Sequence, residues 1–326
     1  MNYPQFKVTV SCMTYNQSKY ITDAMNGFTM QQTSFPFVCT IVDDASTDGE
    51  QEVIRKYVED HFDFSEGSVA YHKETDYAHI TYAQHKTNKN CYFAVLYLKE
   101  NHYSQHKDKS PYLKEWREGV DYMALCEGDD YWINSSKLQK QVDYLDTNLD
   151  YSMCFHNAIK LFVEQNTIVQ FCPYKEDFDL SDYDAINNWY VPTASMCFRI
   201  SVMNAKPSDI ARIYSGDYTI ILWMQIVGKI HCINKYMSVY RINYNNTSAT
   251  AMYKNKNVFM LSEKIRLLDS FIKYANQDFT LLLLKRIDYL KKELMFQRAK
   301  EEKNFLLLLC SYRLIFFKLI SKILKR

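Results

Sequence analysis

Two apolar, strand-like runs in this 326-residue chain end abruptly in clustered carboxylates, and that restricts the fold more than any other feature. The first, Phe37 to Val42, runs into Asp43 and Asp44. The second, Tyr122 to Cys126, runs into Glu127, Asp129 and Asp130, with Gly128 among them. Carboxylates this close repel one another and raise each other's pKa. A divalent cation with oxygen ligands, such as Mg²⁺ or Mn²⁺, relieves that cost and is often shared with substrate phosphates. Either cluster alone reads as a polar turn; two of them, each at a strand end, point to a site.

The intervening pattern predicts how those ends meet. Lys7 to Met13 is a β-branched, apolar run that stops at Thr14, Tyr15 and Asn16, and Ile21, Ala24, Met25 and Phe28 then recur at helical spacing. After Asp44 comes Thr47 with Glu50, the spacing of a capping box, and Val53, Ile54, Tyr57 and Val58 form a second helix face. Asp43 and Asp48 are helix-cap candidates, Asp48 above all. After Asp130, Ser136 with Gln139 repeats the box before Leu138, Val142 and Leu145. Strand–helix–strand–helix with polar loops at the strand carboxyl ends predicts an α/β fold. Its mixed, mainly parallel sheet is flanked by helices, with the ligand crevice at those ends. Neither GxGxxG after the first strand nor GxxxxGK[ST] occurs, which excludes a dinucleotide-binding Rossmann motif and a P-loop.

Composition narrows the class. Hydrophobic residues are 47% and the formal net charge is +1, so a sizeable core is available and no basic field points to nucleic acid. The nine cysteines form no CxxC pair and several sit in apolar runs, so they read as reduced core residues of a cytoplasmic protein. Met1 to Lys7 is too short and polar for a secretory leader, and no uncharged stretch is long enough for an ordinary transmembrane helix.

Val8 to Asn16, Ile41 to Gly49 (IVDDASTDG) and Glu127 to Trp132 (EGDDYW), in this order over residues 5 to 245, resemble the successive signatures of family 2 glycosyltransferases. The resemblance implies a GT-A fold and an inverting transfer of a sugar from a nucleotide sugar, a UDP-linked one ahead of GDP- or dTDP-linked donors. The acceptor it implies is a hydroxyl of a glycan or lipid-linked molecule of a bacterial cell envelope, as in capsule or lipopolysaccharide synthesis. It further implies that Thr14, Tyr15, Asn16 and Asp44 hold the nucleobase end of the donor. Asp129 would be the direct ligand of a Mn²⁺ or Mg²⁺ ion, with Asp130 beside it. Glu127 departs from the family's first Asp; one methylene longer, it still reaches the ribose, or the metal through water. That departure keeps open a degenerate protein that binds nucleotide sugars without turnover. A nucleotidyltransferase ranks last, because Thr14-Tyr-Asn16 lacks the Gly-rich, basic loop of that class.

Later residues carry less distinctive signals. Residues 60 to 119 are irregular and rich in His, Tyr, Lys and Asn. His79 and His85 there lack acidic partners at ligand spacing, and Asn101 to Tyr103 border the donor site by resemblance. Tyr151 to Ala158, Val191 to Ile200 and Met237 to Ile242 read as strands. His156 and Asn157 are equally structural or functional, and Thr193 to Ser195 resemble the segment under the acceptor. Asp217 lies in the first turn of an amphipathic helix, where the helix dipole favours the ionised carboxylate. There it is a cap or, as the resemblance implies, the catalytic base that deprotonates the acceptor. Arg241 is a phosphate contact or an edge-strand salt bridge. The predicted domains are 1–250, with a nucleotide half to about 132 and an acceptor half from 133, and a helical region 251–326. Within the latter, 305–326 carries Lys318, Lys322 and Lys325 in a narrow stripe on an apolar helix. That pattern suits peripheral contact with the inner face of a membrane, or packing on protein.

Overall fold

The computed structural model describes residues 4–211, 213, 216–243 and 257–301. The predicted terminal helix, 305–326, lies outside them. Two compact units emerge: Met1–Leu180, Tyr190–Ala205 and Val227–Asn243 in the first, and Ser181–Trp189, Lys206–Ile226 and Tyr244–Arg326 in the second.

The first unit is built on strands β1 (Val8–Thr14), β2 (Phe37–Asp43), β3 (Tyr71–Glu74), β4 (Ala78–Gln84), β5 (Cys91–Leu98) and β6 (Tyr122–Leu125). Further along the chain come β7 (Tyr131–Trp132), β8 (Tyr151–Phe162), β9 (Thr167–Gln170), β10 (Phe178–Asp179), β11 (Cys197–Arg199) and β12 (Lys229–Ile242). They form one sheet in the order β10-β12-β8-β11-β6-β1-β2-β5-β4-β3, with β7 paired to β12 and β9 paired to β8 off this path. The centre, β6-β1-β2-β5, is parallel, with Thr14 opposite Asp43, so the ends of β1 and β2 coincide. The sheet becomes antiparallel outward through β4 and β3 on one side and through β11 on the other, while β8 and β12 pair parallel again.

Every residue of β2 and of β5 is buried. Strands covered on both faces read as continuous apolar runs rather than alternations. Helices α1 (Ile21–Thr29), α2 (Glu50–His61) and α3 (Lys137–Thr147) cover the sheet. They bury the faces their spacing predicts: Ile21, Ala24, Met25 and Phe28 in α1, and Leu138, Val142 and Leu145 in α3. Completely burying one side chain of this kind contributes about 1.5–3 kcal/mol. The eight described cysteines are all buried, as their place in apolar runs predicts.

Three expectations are corrected. Residues 60–119 are not irregular: they supply β3, β4, β5 and a 3₁₀ turn at Ser110–Trp116. The tyrosines and histidines that obscured this are cross-strand packing, with Tyr71 stacked on Tyr82 at 5.2 Å and Tyr82 on Tyr92 at 6.0 Å. The run Val191 to Ile200 is a strand only over Cys197–Arg199, because Thr193–Ser195 closes into a 3₁₀ turn. Neither capping box forms. Helix α2 starts from Gly49 at φ 86°, a left-handed conformation that glycine adopts without penalty. Ser136 precedes α3 without a side-chain cap, and Gln139 instead accepts from the Ser34 amide. Asp48 does act as a cap, accepting from the Glu50 amide at 3.1 Å.

In the second unit, α4 (Asp182–Asn187) begins at a capping Ser181 whose hydroxyl accepts from the Asp184 amide. A short α5 (Ile200–Asn204) belongs to the first unit, and α6 (Gly216–Val227) follows in the second. Helices Asn257–Phe271 and Gln277–Glu301 bury Leu267, Leu268 and Phe271 from one and Phe279, Leu283, Ile287 and Leu290 from the other. Helical spacing predicts the second set, but on the first helix it predicts Val258, Leu261, Ile265, Leu268 and Ile272, of which only Leu268 is fully buried.

Candidate functional site

The ends of β1, β2 and β6 lie side by side in the parallel centre, and the loops that leave them are tied together. The Asp44 amide donates to the Thr14 carbonyl at 3.0 Å, and the Gly128 amide donates to the Met13 carbonyl at 3.1 Å. Asn16, left-handed at φ 54°, donates its amide to Ser46 Oγ at 2.9 Å and accepts from the Thr47 amide at 2.8 Å. Ala45, at φ 61°, is left-handed as well. A non-glycine residue in that region costs on the order of 1–2 kcal/mol, and such conformations gather at functional loops. Thr14 is buried and Tyr15 half-buried.

Glu50 is the hub of these loops, a role the sequence did not reveal. Its buried carboxylate accepts from the Gln17 amide at 2.9 Å, from Ser46 Oγ at 2.8 Å and from the Thr14 hydroxyl. Burial raises its pKa against the pull of these donors. Glu50→Ala leaves the donors unpaired in the interior, and the expected cost is about 3 kcal/mol of unfolding free energy, read from the urea midpoint at unchanged slope.

Asp44 is also fully engaged. Its carboxylate accepts from the amides of His102 (2.9 Å) and Tyr103 (3.0 Å) and pairs with the Lys109 ammonium at 3.0 Å, while its carbonyl accepts from Asn101 Nδ2 at 3.0 Å. The segment 101–103 therefore does reach the end of β2. Asp43 points elsewhere, accepting from the Ser46 amide and from Gln51 Nε2.

The acidic turn holds three carboxylates in different surroundings: Glu127 is exposed, Asp129 half-buried and Asp130 buried. Burial is the main cause that lifts the pKa of Asp130 well above the carboxylate range, and Asp129 and Glu127 push it further. Burial also raises Asp129, which the Arg241 guanidinium partly offsets. Repulsion, the cause expected from sequence, thus ranks behind desolvation. Asp130 accepts from the Arg241 amide at 2.8 Å. The Arg241 side chain reaches the Asp129 carbonyl at 2.7 Å and pairs with Asp23 of α1. It also lies over the rings of Tyr131 at 4.3 Å and Tyr20 at 4.9 Å. Arg241 therefore clamps the turn between β12 and α1. Gly128 is required by space: a Cβ there would lie 2.2 Å from Thr14 Oγ1.

Among the described residues no three His, Cys, Asp or Glu side chains converge as a closed metal cage. Mg²⁺ and Mn²⁺ sites that share substrate phosphates need only one or two protein carboxylates. A half-buried Asp129 whose charge is poorly solvated, backed by Asp130, fits that use. The paired His79 and Glu74 (3.1 Å) stand on β4 and β3 as an ordinary cross-strand contact.

Asn157 and the Thr193–Ser195 segment are tied into the frame of the first unit. Asn157 bridges the Cys172 carbonyl and Asn234 Oδ1, Ser195 donates to the Pro192 carbonyl, and Trp132 donates to the Ala194 carbonyl. In the second unit Asp217 stands in the first turn of α6 and accepts from the Tyr218 amide at 2.8 Å. The Lys264 ammonium lies 4.5 Å from the centre of the Tyr218 ring. Burial and the Arg286 charge draw its pKa down to about 8, while Asp217 opposes them. Asp182, an alternative acid, accepts from Gln225 Nε2.

No family model matches the chain. Uncharacterized proteins of Mycobacterium tuberculosis and Mycobacterium bovis are 29% identical to it over 237 residues, 72% of this chain. The chain spans 58% of the length of those curated relatives. Among solved structures, S. aureus TarS residues 1–349 in complex with UDP superposes with a TM-score of 0.53 at 16% identity, covering 93% of this chain and 89% of that one. The mannosyltransferase PcManGT of Pyrobaculum calidifontis, in complex with GDP-Man and Mn²⁺, gives 0.50 at 15% identity, covering 89% and 70%. The mixed α/β fold is shared with these GT-A-like structures.

Proposed function

We propose that the protein transfers a sugar from a nucleoside-diphosphate sugar, UDP-linked by preference, to a hydroxyl of a glycan or lipid-linked acceptor, inverting the anomeric carbon as family 2 glycosyltransferases do. The observation that carries this reading is the acidic turn at the end of β6, clamped by Arg241 and packed through Gly128 on the Thr14 loop. It lies in a fold shared with proteins that bind UDP, or GDP-Man and Mn²⁺.

Each residue then has a role. Thr14, Tyr15 and Asn16 form the wall for the base and ribose, with the Tyr15 ring as a stacking surface. Asp44 is a positioning residue, because its oxygens already hold His102, Tyr103 and Lys109. Asp129, with Asp130 behind it and Glu127 at the rim, would hold Mg²⁺ or Mn²⁺. That ion, when bound, supplies Lewis-acid neutralisation of the departing diphosphate. Arg241 keeps the turn in place and adds positive charge near the same oxygens. Asp217 takes the acceptor proton as the oxygen attacks. The cell-envelope role, and peripheral membrane contact through 305–326, follow from the sequence resemblance and the cationic stripe.

A panel of nucleotide sugars with Mn²⁺ or Mg²⁺, read by release of nucleoside diphosphate, tests the proposal. One donor should be consumed, with metal dependence, and Asp129→Asn should lose metal-dependent nucleotide binding. Nucleotide binding without consumption of any donor, even with membrane extract as acceptor source, would leave a sugar-nucleotide-binding protein. Absence of binding would remove the assignment of the acidic turn altogether.

A further inference from the structure

Lys137 is the first residue of α3 and is completely buried, yet its ammonium has no hydrogen-bond partner. It lies 3.9 Å from the centre of the Trp132 ring, a favourable cation–π contact. Against that stand two costs. A cation in a helix's first turn opposes the helix dipole, and an ammonium removed from water without partners costs several kcal/mol. The groups facing it are Trp132 on β7, Cys126 beyond β6, Cys154 and His156 on β8, and Cys197 on β11, with no carboxylate among them.

Three further buried polar atoms on this sheet face also lack partners: Gln141 Oε1, His156 Nε2 and Ser238 Oγ. Gln141 is one helical turn from Lys137, on the same side of α3. Ser238 is in register with Trp132 across β7–β12 and with Ala158 across β8–β12, so it shares their face with His156. The hydrogen-bonding sense of each atom is settled by its other contacts. Gln141 Nε2 donates to the Cys154 and Ser195 carbonyls, which leaves Oε1 as an acceptor. His156 Nδ1 faces the Asn157 carbonyl at 2.8 Å and must donate, so in the neutral ring Nε2 accepts.

We propose that Lys137, Gln141, His156 and Ser238 enclose an internal water site beneath α3, and that water completes the hydrogen bonding of the Lys137 ammonium. The atoms select water over an anion. The ammonium offers three donors, and the surrounding Oε1 and Nε2 are acceptors that would repel a negative ion. A water molecule accepts from Nζ and donates to either, the pattern of about three hydrogen bonds typical of buried waters. Hydrated in this way, Lys137 stays charged and forms a fixed positive charge on the protein side of the acidic turn. The Cys126 thiol, next to Glu127, feels both that charge and Asp130.

Two measurements on the full chain decide it. A crystal structure of the wild type at a resolution that shows ordered solvent should place water within hydrogen-bond distance of Nζ and of one of the three acceptors. An Nζ surrounded only by carbon and sulfur overturns the proposal. The second measurement compares the wild type with Lys137→Met in urea between pH 7 and pH 10. A dry ammonium with its pKa drawn down to about 8 loses its proton in the folded state first, so unfolded chains bind more protons in this window. Wild-type stability would then rise relative to the variant by roughly 70-fold in the folding constant. A hydrated ammonium keeps an ordinary pKa, and the two curves run parallel. A relative drift above about tenfold overturns the proposal, and a smaller one supports it. Should the variant not fold, the crystallographic test stands alone.

Discussion

Asp217→Asn is expected to bind donor nucleotide as the wild type does and to consume it more slowly by about 10²–10⁴, the usual contribution of a positioned general base. The substitution keeps the shape and the acceptor oxygen that receives the Tyr218 amide, so α6 should start where it does now. Only the capacity to take a proton is lost. Rates and binding must be measured together: a fall in turnover at unchanged nucleotide affinity supports Asp217 as the base. A fall in stability with turnover retained per folded molecule would leave it a helix-start residue. Lys264 offers a check on the same cluster, since it lies against Tyr218 and within electrostatic reach of Asp217. Asp182, bonded to Gln225, serves as the control acid, and its Asn variant should keep nucleotide turnover within about threefold of wild type if it has no part in proton transfer.

Gly128→Ala is expected to be the most damaging single methyl in the first unit's site. The added carbon would sit 2.2 Å from Thr14 Oγ1, 2.5 Å from Gln17 Oε1 and 2.7 Å from Thr14 Cβ. The Gln17 side chain can swing away, but Thr14 cannot move aside cheaply, because Glu50 accepts from its hydroxyl and from the nearby Gln17 amide. Either the acidic turn or the Thr14 loop must shift, at a cost of about 1–3 kcal/mol in stability. Displacing Asp129 from the loop should also weaken metal-dependent nucleotide binding by about tenfold or more, equal to roughly 1.4 kcal/mol. Gly216→Ala is the matched control, since a Cβ there meets nothing within 4 Å. It should leave the urea midpoint and nucleotide affinity close to wild type. Equal tolerance at both glycines would mean that the two loops are not packed as described.

Much of this arrangement was readable in the chain. Apolar runs ending in Thr14, Asp43 and Glu127 announced parallel strands with a polar edge, because both-face burial demands continuous apolar side chains and a crevice forms where such strands stop. The helix faces of α1, α2 and α3 were equally visible, since the 3.6-residue period survives whatever they pack on. Strand β5 was harder to see. Its apolar run sits within a stretch rich in Tyr, His and Asn, where aromatic cross-strand packing looks like loop composition. The capping boxes failed for a related reason: Glu50 accepts from three donors brought in by folding, and Gln139 accepts from the Ser34 amide, so neither makes a local bond to its own helix start.

The sequence by itself determined the alternation of strands and helices, the buried thiols and the placement of carboxylates at strand ends, because these depend on periodicity and burial within short windows. Only the tertiary structure decided what each polar group does. Asp44 serves the 101–109 loop, Arg241 reaches back from β12 to Asp23 and Asp129, and Glu50 joins two loops 33 residues apart. A buried carboxylate or guanidinium takes the partners that folding brings within about 3 Å, and sequence spacing carries no information about which those will be.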